Sequence, residues 1–297
     1  MKRENKLVNK VKRLLRRLRC PRWLHHFGPK KYEFYEHISA LIIRYYCRLS
    51  YRRTVKLLDL FGFICPSKSA LQFTANKIRS ALWNKILEIT SGIKHHIIAI
   101  DSTGLSRTNP SYHYLRRIDG KIPKIPIKLS IAFDTKLKKF CSAKIRVLPS
   151  HDTQDVKALL RNLRFNILVA DKGYDANWIH KYCYERNIKA HIPIRDYGTK
   201  IKKGYFTFRR KAIKHFRLRT YHRREIIESG NHSYKAKFGS SVNSKKATTI
   251  RSDVYGRLLC HNLFGLIIEI QDRAYCKNWK YLILYRLVFI YVKSASE

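Results

Sequence analysis

Apolar positions keep a helical spacing up to residue 92 and a strand-like spacing from residue 95, so the chain reads as a helical region followed by an α/β region. Leu14, Leu15 and Leu18 are spaced for a helix within K-V-K-R-L-L-R-R-L-R, from Lys10 to Arg19. After Tyr32 the same spacing recurs in Ile38, Leu41, Ile42 and Tyr45, with Glu33 and Glu36 in the first turn, where the helix dipole favours negative charge. Residues 51–82 offer a helix carrying Val55, Leu57, Leu58 and Leu60, a break at F-G-F around Gly62, and a second helix opening at Pro66. Ser69 and Gln72 have capping-box spacing at that second start.

From residue 95 the rhythm shortens. Residues 95–101, about 125–134 and about 140–147 read as three strands of a meander, the latter two joined by a turn at 134–138. A helix over Thr153 to Asn162, capped by Asp152 or Thr153, leads to a strand that reaches Asp171. A helix from Ala176 to Arg186 and a strand from Lys189 to Ile194 follow. Residues 194–220 then read as a basic linker with K-K-G and R-R-K, either close to a polyanion or a solvated hairpin. Val254, Leu258, Leu259, Leu263, Leu266 and Ile267 mark a last amphipathic helix, Thr248 to Asp272, which buttresses the α/β region, and residues 273–297 form a tail.

Candidate chemistry concentrates in three places. Asp101 ends the run I-I-A-I-D and Asp171 ends I-L-V-A-D, so both carboxylates close buried strands. In open α/β sheets ligands gather beyond the carboxyl ends of the strands, and the two acids share one crevice if their strands are neighbours. The third place is Y-H-R-R-E-I-I-E-S-G-N-H-S-Y-K from Tyr221 to Lys235. On an unbroken α-helix, Tyr221, Arg224, Glu228 and Lys235 share a stripe roughly 60° wide. One carboxylate among two cations and a phenol suits metal ligation by Glu228, phosphate contacts by Arg224 and Lys235, and stacking or hydrogen bonding by Tyr221. The ordinary alternative is a solvated face in which Glu228 pairs with Arg224.

The order Asp, Asp, then Glu within a Tyr-x2-Arg-x3-Glu-x6-Lys signature resembles the DDE transposases of prokaryotic insertion sequences, in particular the insertion-sequence four and five group. D-S-T-G-L from Asp101 and A-D-K-G-Y-D from Ala170 to Asp175 are similar to that family's phrases around its two aspartates, and the matches cover roughly residues 95–240. The resemblance implies a ribonuclease H-like core, a mixed sheet flanked by helices, over residues 93–272, preceded by a helical DNA-binding region over 1–92. It implies Asp101, Asp171 and Glu228 as catalytic residues that hold two Mg²⁺ or Mn²⁺ ions. It further implies DNA cleavage and strand transfer, with element terminal inverted repeats and target DNA as partners of a homodimer. Between Pro193 and Tyr221 lie only residues 194–220, too few for the large β-rich insertion of some relatives. Two other classes stay open: a nuclease of the same fold that cuts without joining, and a catalytically silent DNA-binding descendant.

Charge strengthens the nucleic-acid reading. The chain has 297 residues with 63 Lys plus Arg against 20 Asp plus Glu, a net of +43, which calls for a polyanionic partner. Residues 51–82 then match a helix-turn-helix whose exposed polar positions, Lys68, Gln72, Thr74, Asn76, Lys77 and Arg79, would face a DNA groove. Hydrophobic content of 45% excludes general disorder. Seven scattered cysteines without a C-x2-C pair exclude a zinc ribbon or a disulfide framework and fit a cytoplasmic, nucleoid-associated protein. The apolar stretch Tyr281 to Val292 is interrupted by Arg286 and too short to span a bilayer, so no membrane partner is expected. No G-x-S-x-G and no P-loop is present. His151 and Asp152 read as turn and cap, and the adjacent pairs His25-His26 and His95-His96 make poor two-ligand sites. Trp178 reads as core, and Tyr174 is open between core and stacking on a displaced base.

Overall fold

The computed structural model describes residues 5–24, 30–107, 117, 126–195 and 207–269. His25-His26, the K-K-G of the basic linker, the end of the last helix beyond Glu269, and the 273–297 tail with Tyr281 to Val292 lie outside the described residues.

Five helices come first: α1 (Asn5–Arg17), α2 (Phe34–Tyr46), α3 (Tyr51–Leu60), α4 (Lys68–Lys77) and α5 (Ser80–Ser91). The acids read at the start of α2 form a reciprocal capping box, in which the Glu33 N–H donates to Glu36 Oε2 at 2.6 Å. Ser50 caps α3 by accepting from the Arg53 N–H at 3.2 Å. The turn between α3 and α4 passes through Gly62 at φ +66°, a conformation that glycine adopts freely. The start of α4 differs from the Ser69–Gln72 expectation. Ser67 is the cap, accepting from the Ala70 N–H at 3.3 Å, because the extended residue directly after Pro66 already faces the unpaired amides.

The α/β region holds β1 (His95–Leu105), β2 (Ile127–Asp134), β3 (Lys139–Arg146), β4 (Phe165–Ala170) and β5 (Lys189–His191) in one sheet of order β3-β2-β1-β4-β5. β1, β2 and β3 pair antiparallel, and β4 and β5 join β1 in parallel. A meander continued by parallel strands and flanked by helices is the ribonuclease H-like arrangement that the resemblance implied. The helix read over Thr153 to Asn162 is a 3₁₀ turn, Asp152–Asp155, running into α6 (Val156–Leu160). Asp152 caps nothing there and pairs with Lys128 Nζ at 2.7 Å.

Alternation along β1 and β4 divides the core. Ile98, Ile100, Leu168 and Ala170 pack on one face with α6 and α7 (Asn177–Glu185). Ala99 and Val169 point to the other face, joining a second cluster with β2, with α10 (Glu225–Phe238) and with α11 (Ala247–Glu269). That cluster also takes in Leu41, Leu71 and Trp83, so residues on both sides of position 92 bury each other. Residues 194–220, read as a linker, contain α8 (Thr207–His215) and α9 (Leu218–Tyr221). In α8, Arg209 is buried against an acid from the loop after β4, described next.

Candidate active site

Asp101 follows Ile100 in β1, and Asp171 follows Ala170 at the end of β4, while Ile100 and Ala170 are direct parallel partners. The two aspartates therefore stand at the same level on neighbouring strands, as the crevice argument requires, although Asp101 does not end its strand: β1 continues to Leu105, paired with β2 from Asp101↔Ile131 to Leu105↔Ile127. Both continue the row of Ala99 and Val169, the face that α10 covers. Asp101 is half-buried and accepts from Asn231 Nδ2 of α10 at 2.9 Å. Burial pushes its carboxyl above the usual carboxylate range; a Ser102 backbone hydrogen bond and the Arg224 charge offset this in part, and Glu228 and Asp152 oppose them. Asp171 is exposed, at the head of a 3₁₀ turn, Lys172–Tyr174, and its side chain caps nothing.

The Tyr221 to Lys235 signature is not one α-helix. Tyr221 ends α9, a 3₁₀ turn covers His222–Arg224, and α10 begins at Glu225. The 3₁₀ turn winds about 120° per residue instead of about 100°, so the stripe drawn on an ideal helix is displaced for its first two members. Arg224 and Glu228 still meet, Nη1 to Oε1 at 2.6 Å, on a partly solvated surface. Arg224 also lies 5.9 Å from the centre of the Tyr221 ring, and the charge of Asp171 is felt at its guanidinium. Lys235 is half-buried further along α10. Among the described residues no three His, Cys, Asp or Glu side chains stand close enough to hold a metal ion, since Glu228 is turned onto Arg224. The donor chemistry nonetheless fits a hard divalent cation. Asp101 is a desolvated carboxylate whose direct side-chain partner is a neutral amide, and the Oδ1 of that same Asn231 is buried without a partner among the described residues.

Two residues within the signature went unread. Asn231 orients Asp101, and Gly230 sets how closely α10 approaches the sheet. A Cβ at Gly230 would stand 2.9 Å from Cζ and 3.0 Å from Cε2 of Phe133, a core side chain of β2. A glycine inside a helix, away from any turn, was the available signal. Helix propensity alone would make Gly230→Ala stabilising by roughly 1 kcal/mol. Overpacking against a buried ring costs about 1–3 kcal/mol. We therefore expect Gly230→Ala to lower the melting temperature and to reduce activity by lifting Glu228 away from Asp101; a variant that melts at or above wild type would show that this close approach is not needed.

The N-terminal candidates separate. Lys68, Gln72, Lys77 and Arg79 are exposed. Asn76 is half-buried, its Oδ1 accepting from Thr248 Oγ1 at the start of α11 at 2.9 Å. Thr74 was expected on the exposed face but is 1% exposed, bonded to His37 Nδ1 at 2.8 Å, because Leu71, Thr74 and Ala75 form the inner face of α4. Trp178 also departs from expectation. It is 37% exposed beside Lys157, since α7 buries Ile179, His180 and Cys183 and Trp178 falls off that face. Tyr174 is core, its hydroxyl 3.0 Å from Ser102 Oγ. His95 is buried on Asp134 at 2.6 Å while its neighbour His96 is exposed, so the pair shares no site.

Asp175, the last residue of A-D-K-G-Y-D, is a structural acid. Its side chain is fully buried, bound to Arg209 Nε at 2.9 Å, His180 Nε2 at 3.1 Å and the Arg195 N–H at 2.7 Å. It fixes α8 and the segment after β5 to the loop that carries Asp171.

Fold and site together define an α/β protein with a ribonuclease H-like sheet and two acids level with each other on its central parallel strands, on the face packed by a helix that carries a third. The family model described as "Transposase DDE domain" matches residues 92–263, more than half of the chain, and the chain belongs to that family. No curated protein matches it. Among solved structures, a piggyBac transposase in a synaptic complex with hairpin DNA is similar over 90% of this chain and 74% of that chain, at 11% identity and a TM-score of 0.41, too slight a likeness to carry an argument.

Proposed function

We propose that the chain is an insertion-sequence transposase of the four and five group, which binds the terminal inverted repeats of its element, cleaves at the element ends and joins them to target DNA. The observation that carries this reading is the register of Asp101 and Asp171 on adjacent parallel strands, on the face covered by the helix of Glu228. Asp101, Asp171 and Glu228 would hold the divalent ions, Mg²⁺ or Mn²⁺ and two in number. Such ions, when bound, supply Lewis-acid stabilisation of the attacking and leaving oxygens of an in-line displacement. In the first step water attacks a phosphorus at the element end, the bond to the 3′ oxygen breaks and a 3′-hydroxyl is freed. That hydroxyl then attacks a phosphorus of target DNA, losing its proton as the new P–O bond forms, while the bond from that phosphorus to the target strand's 3′ oxygen breaks and that oxygen leaves as a 3′-hydroxyl; no covalent link to protein forms.

The residues around the acids divide this work. Arg224, Lys235 and Tyr221 position the phosphates of the scissile strand. The Arg224–Glu228 pair is an exchangeable one. A DNA phosphate competes for the guanidinium, and Glu228 is released toward Asp101. α3 and α4 supply groove contacts through Lys68, Gln72, Asn76 and Arg79, in a protein acting in the cytoplasm on the nucleoid. Two element ends must be held in one complex, which calls for a homodimer on DNA.

A strand-transfer assay with purified protein, Mg²⁺, a duplex carrying the inverted repeat that flanks the gene, and a target plasmid tests the reading. Cleavage at the repeat followed by joined product is expected. Cleavage without joining would make the protein a nuclease of the same fold, and specific binding without cleavage would make it a silent DNA-binding descendant.

A further inference from the structure

Away from the acids, a cavity of about 440 Å³ opens between the α2–α3 turn and the segment that leads into α11. Arg44, Arg48, Lys245, Lys246 and Arg257 line it, with Asp253 as the sole carboxylate of the lining among the described residues. That carboxylate is already shared, by Arg257 Nε at 2.8 Å, Ser244 Oγ at 3.1 Å and Arg44 Nη2 at 3.8 Å. Most of the positive charge on the wall has no counterion among the described residues.

Two buried polar atoms lie in the cavity wall. Arg44 is 8% exposed and Tyr45 is 1% exposed, both residues line the cavity, and Arg44 Nε and Tyr45 Oη have no hydrogen-bond partner among the described residues. A buried guanidinium nitrogen and a buried phenol normally find partners, since leaving one unmade costs about 1–3 kcal/mol. The Arg44 guanidinium is held in place over the Tyr51 ring, 4.1 Å from its centre. Two helices begin at the rim, α3 after Ser50 and the 23-residue α11 after Lys246, adding the partial positive charge of their N-termini.

We propose that this cavity seats a backbone phosphate of DNA outside the catalytic crevice, with Arg48, Lys245 and Lys246 donating to its oxygens and the buried Arg44 guanidinium adding positive charge behind them. The proposal rests on the reading of DNA as partner and adds a second anchoring point to it. The anchor is coupled to the catalytic helix. The segment lining the cavity bridges Ser241 to Ser106 beyond the end of β1, and the Arg48 guanidinium packs against Gly239 at the C-terminus of α10, where a Cβ would stand 2.6 Å from Nη2. A strand held in the cavity is thereby referenced to the helix that carries Glu228.

Lys245 and Lys246 are exposed, so Lys245→Gln/Lys246→Gln leaves the buried part intact. Two arms use the full chain. In the first, inorganic phosphate at constant ionic strength should raise the melting temperature of wild type by a few degrees and that of the double variant much less, with Lys245→Arg/Lys246→Arg restoring the response. Equal stabilisation of wild type and the glutamine variant would overturn the cavity as an anion site. In the second, affinity for a duplex is followed against salt. Since each neutralised phosphate contributes about 0.9 to the slope, the double variant should lose about one to two units, and Lys136→Gln/Lys189→Gln, exposed elsewhere, should lose less. A phosphate response with an unchanged DNA slope would assign the cavity to free phosphate compounds and overturn its DNA role. A wild type that binds no DNA overturns the proposed function instead, while the phosphate arm still decides the cavity.

Discussion

Asp101→Asn, Asp171→Asn and Glu228→Gln should each reduce Mg²⁺-dependent cleavage by roughly a thousandfold or more while leaving duplex binding close to wild type. Lewis-acid stabilisation contributes several kcal/mol, and about 4 kcal/mol corresponds to roughly a thousandfold in rate. Asp101 and Asp171 share one level of the sheet, and each amide replacement keeps the shape while removing the charge that a hard cation needs. Asp101→Asn also takes away the carboxylate that accepts from Asn231, so its melting temperature should be compared with that of Asp171→Asn. Arg224→Ala is the informative contrast. It removes no ligand, so its defect should lie in binding and should ease at low salt, where the remaining charges hold DNA more tightly. Cleavage by any of the three acid variants at a tenth of the wild-type rate would remove that acid from the catalytic set, and a salt response shared by Arg224→Ala and Glu228→Gln would make the pair a surface ion pair and nothing more.

What the sequence disclosed follows the range of the forces involved. β4 was legible because an apolar run that stops at an acid reflects local burial, and it ends at Ala170, one residue before Asp171; β1 was read to Asp101 but runs on to Leu105, because pairing with β2 carries the strand through the polar residues after Asp101. Their adjacency was not, since register depends on which strands pair across the chain. The same limit hid the caps and faces that tertiary contacts decide. Thr74 looks like any polar helix residue until His37 is beside it, and Trp178 looks like core until Ile179 and Cys183 define the inward face of α7. The signature stripe was drawn on ideal α-helical winding, and only the coordinates reveal the 3₁₀ turn before Glu225. Arg209 is the clearest case. In sequence it belongs to a basic linker, and it is buried on Asp175, a residue from another element.

Asp175→Ala should therefore be strongly destabilising, by about 3–5 kcal/mol, because it removes the buried carboxylate that pairs with the Arg209 guanidinium. Much of that loss is the cost of the unpaired charge, so Asp175→Ala/Arg209→Met should recover part of it. The interaction also has a pH signature. Burial works to raise the Asp175 carboxyl, but hydrogen bonds from His180, Arg209 and the Arg195 backbone outweigh it and hold the group below the usual carboxylate value. A carboxyl depressed in the folded state stabilises the protein above its unfolded pKa, about 3.9, and that contribution fades as pH falls through the lower folded value. Denaturant unfolding of wild type and Asp175→Asn should accordingly show a stability gap that is constant above about pH 5 and narrows steadily below about pH 4. Other acids titrate in the same range in both proteins, so the difference between the two curves isolates this one. A gap that stays level down to pH 2, or an Asp175→Ala protein as stable as wild type, would mean that Arg209 is held by other contacts and that the loop bearing Asp171 is positioned without this ion pair.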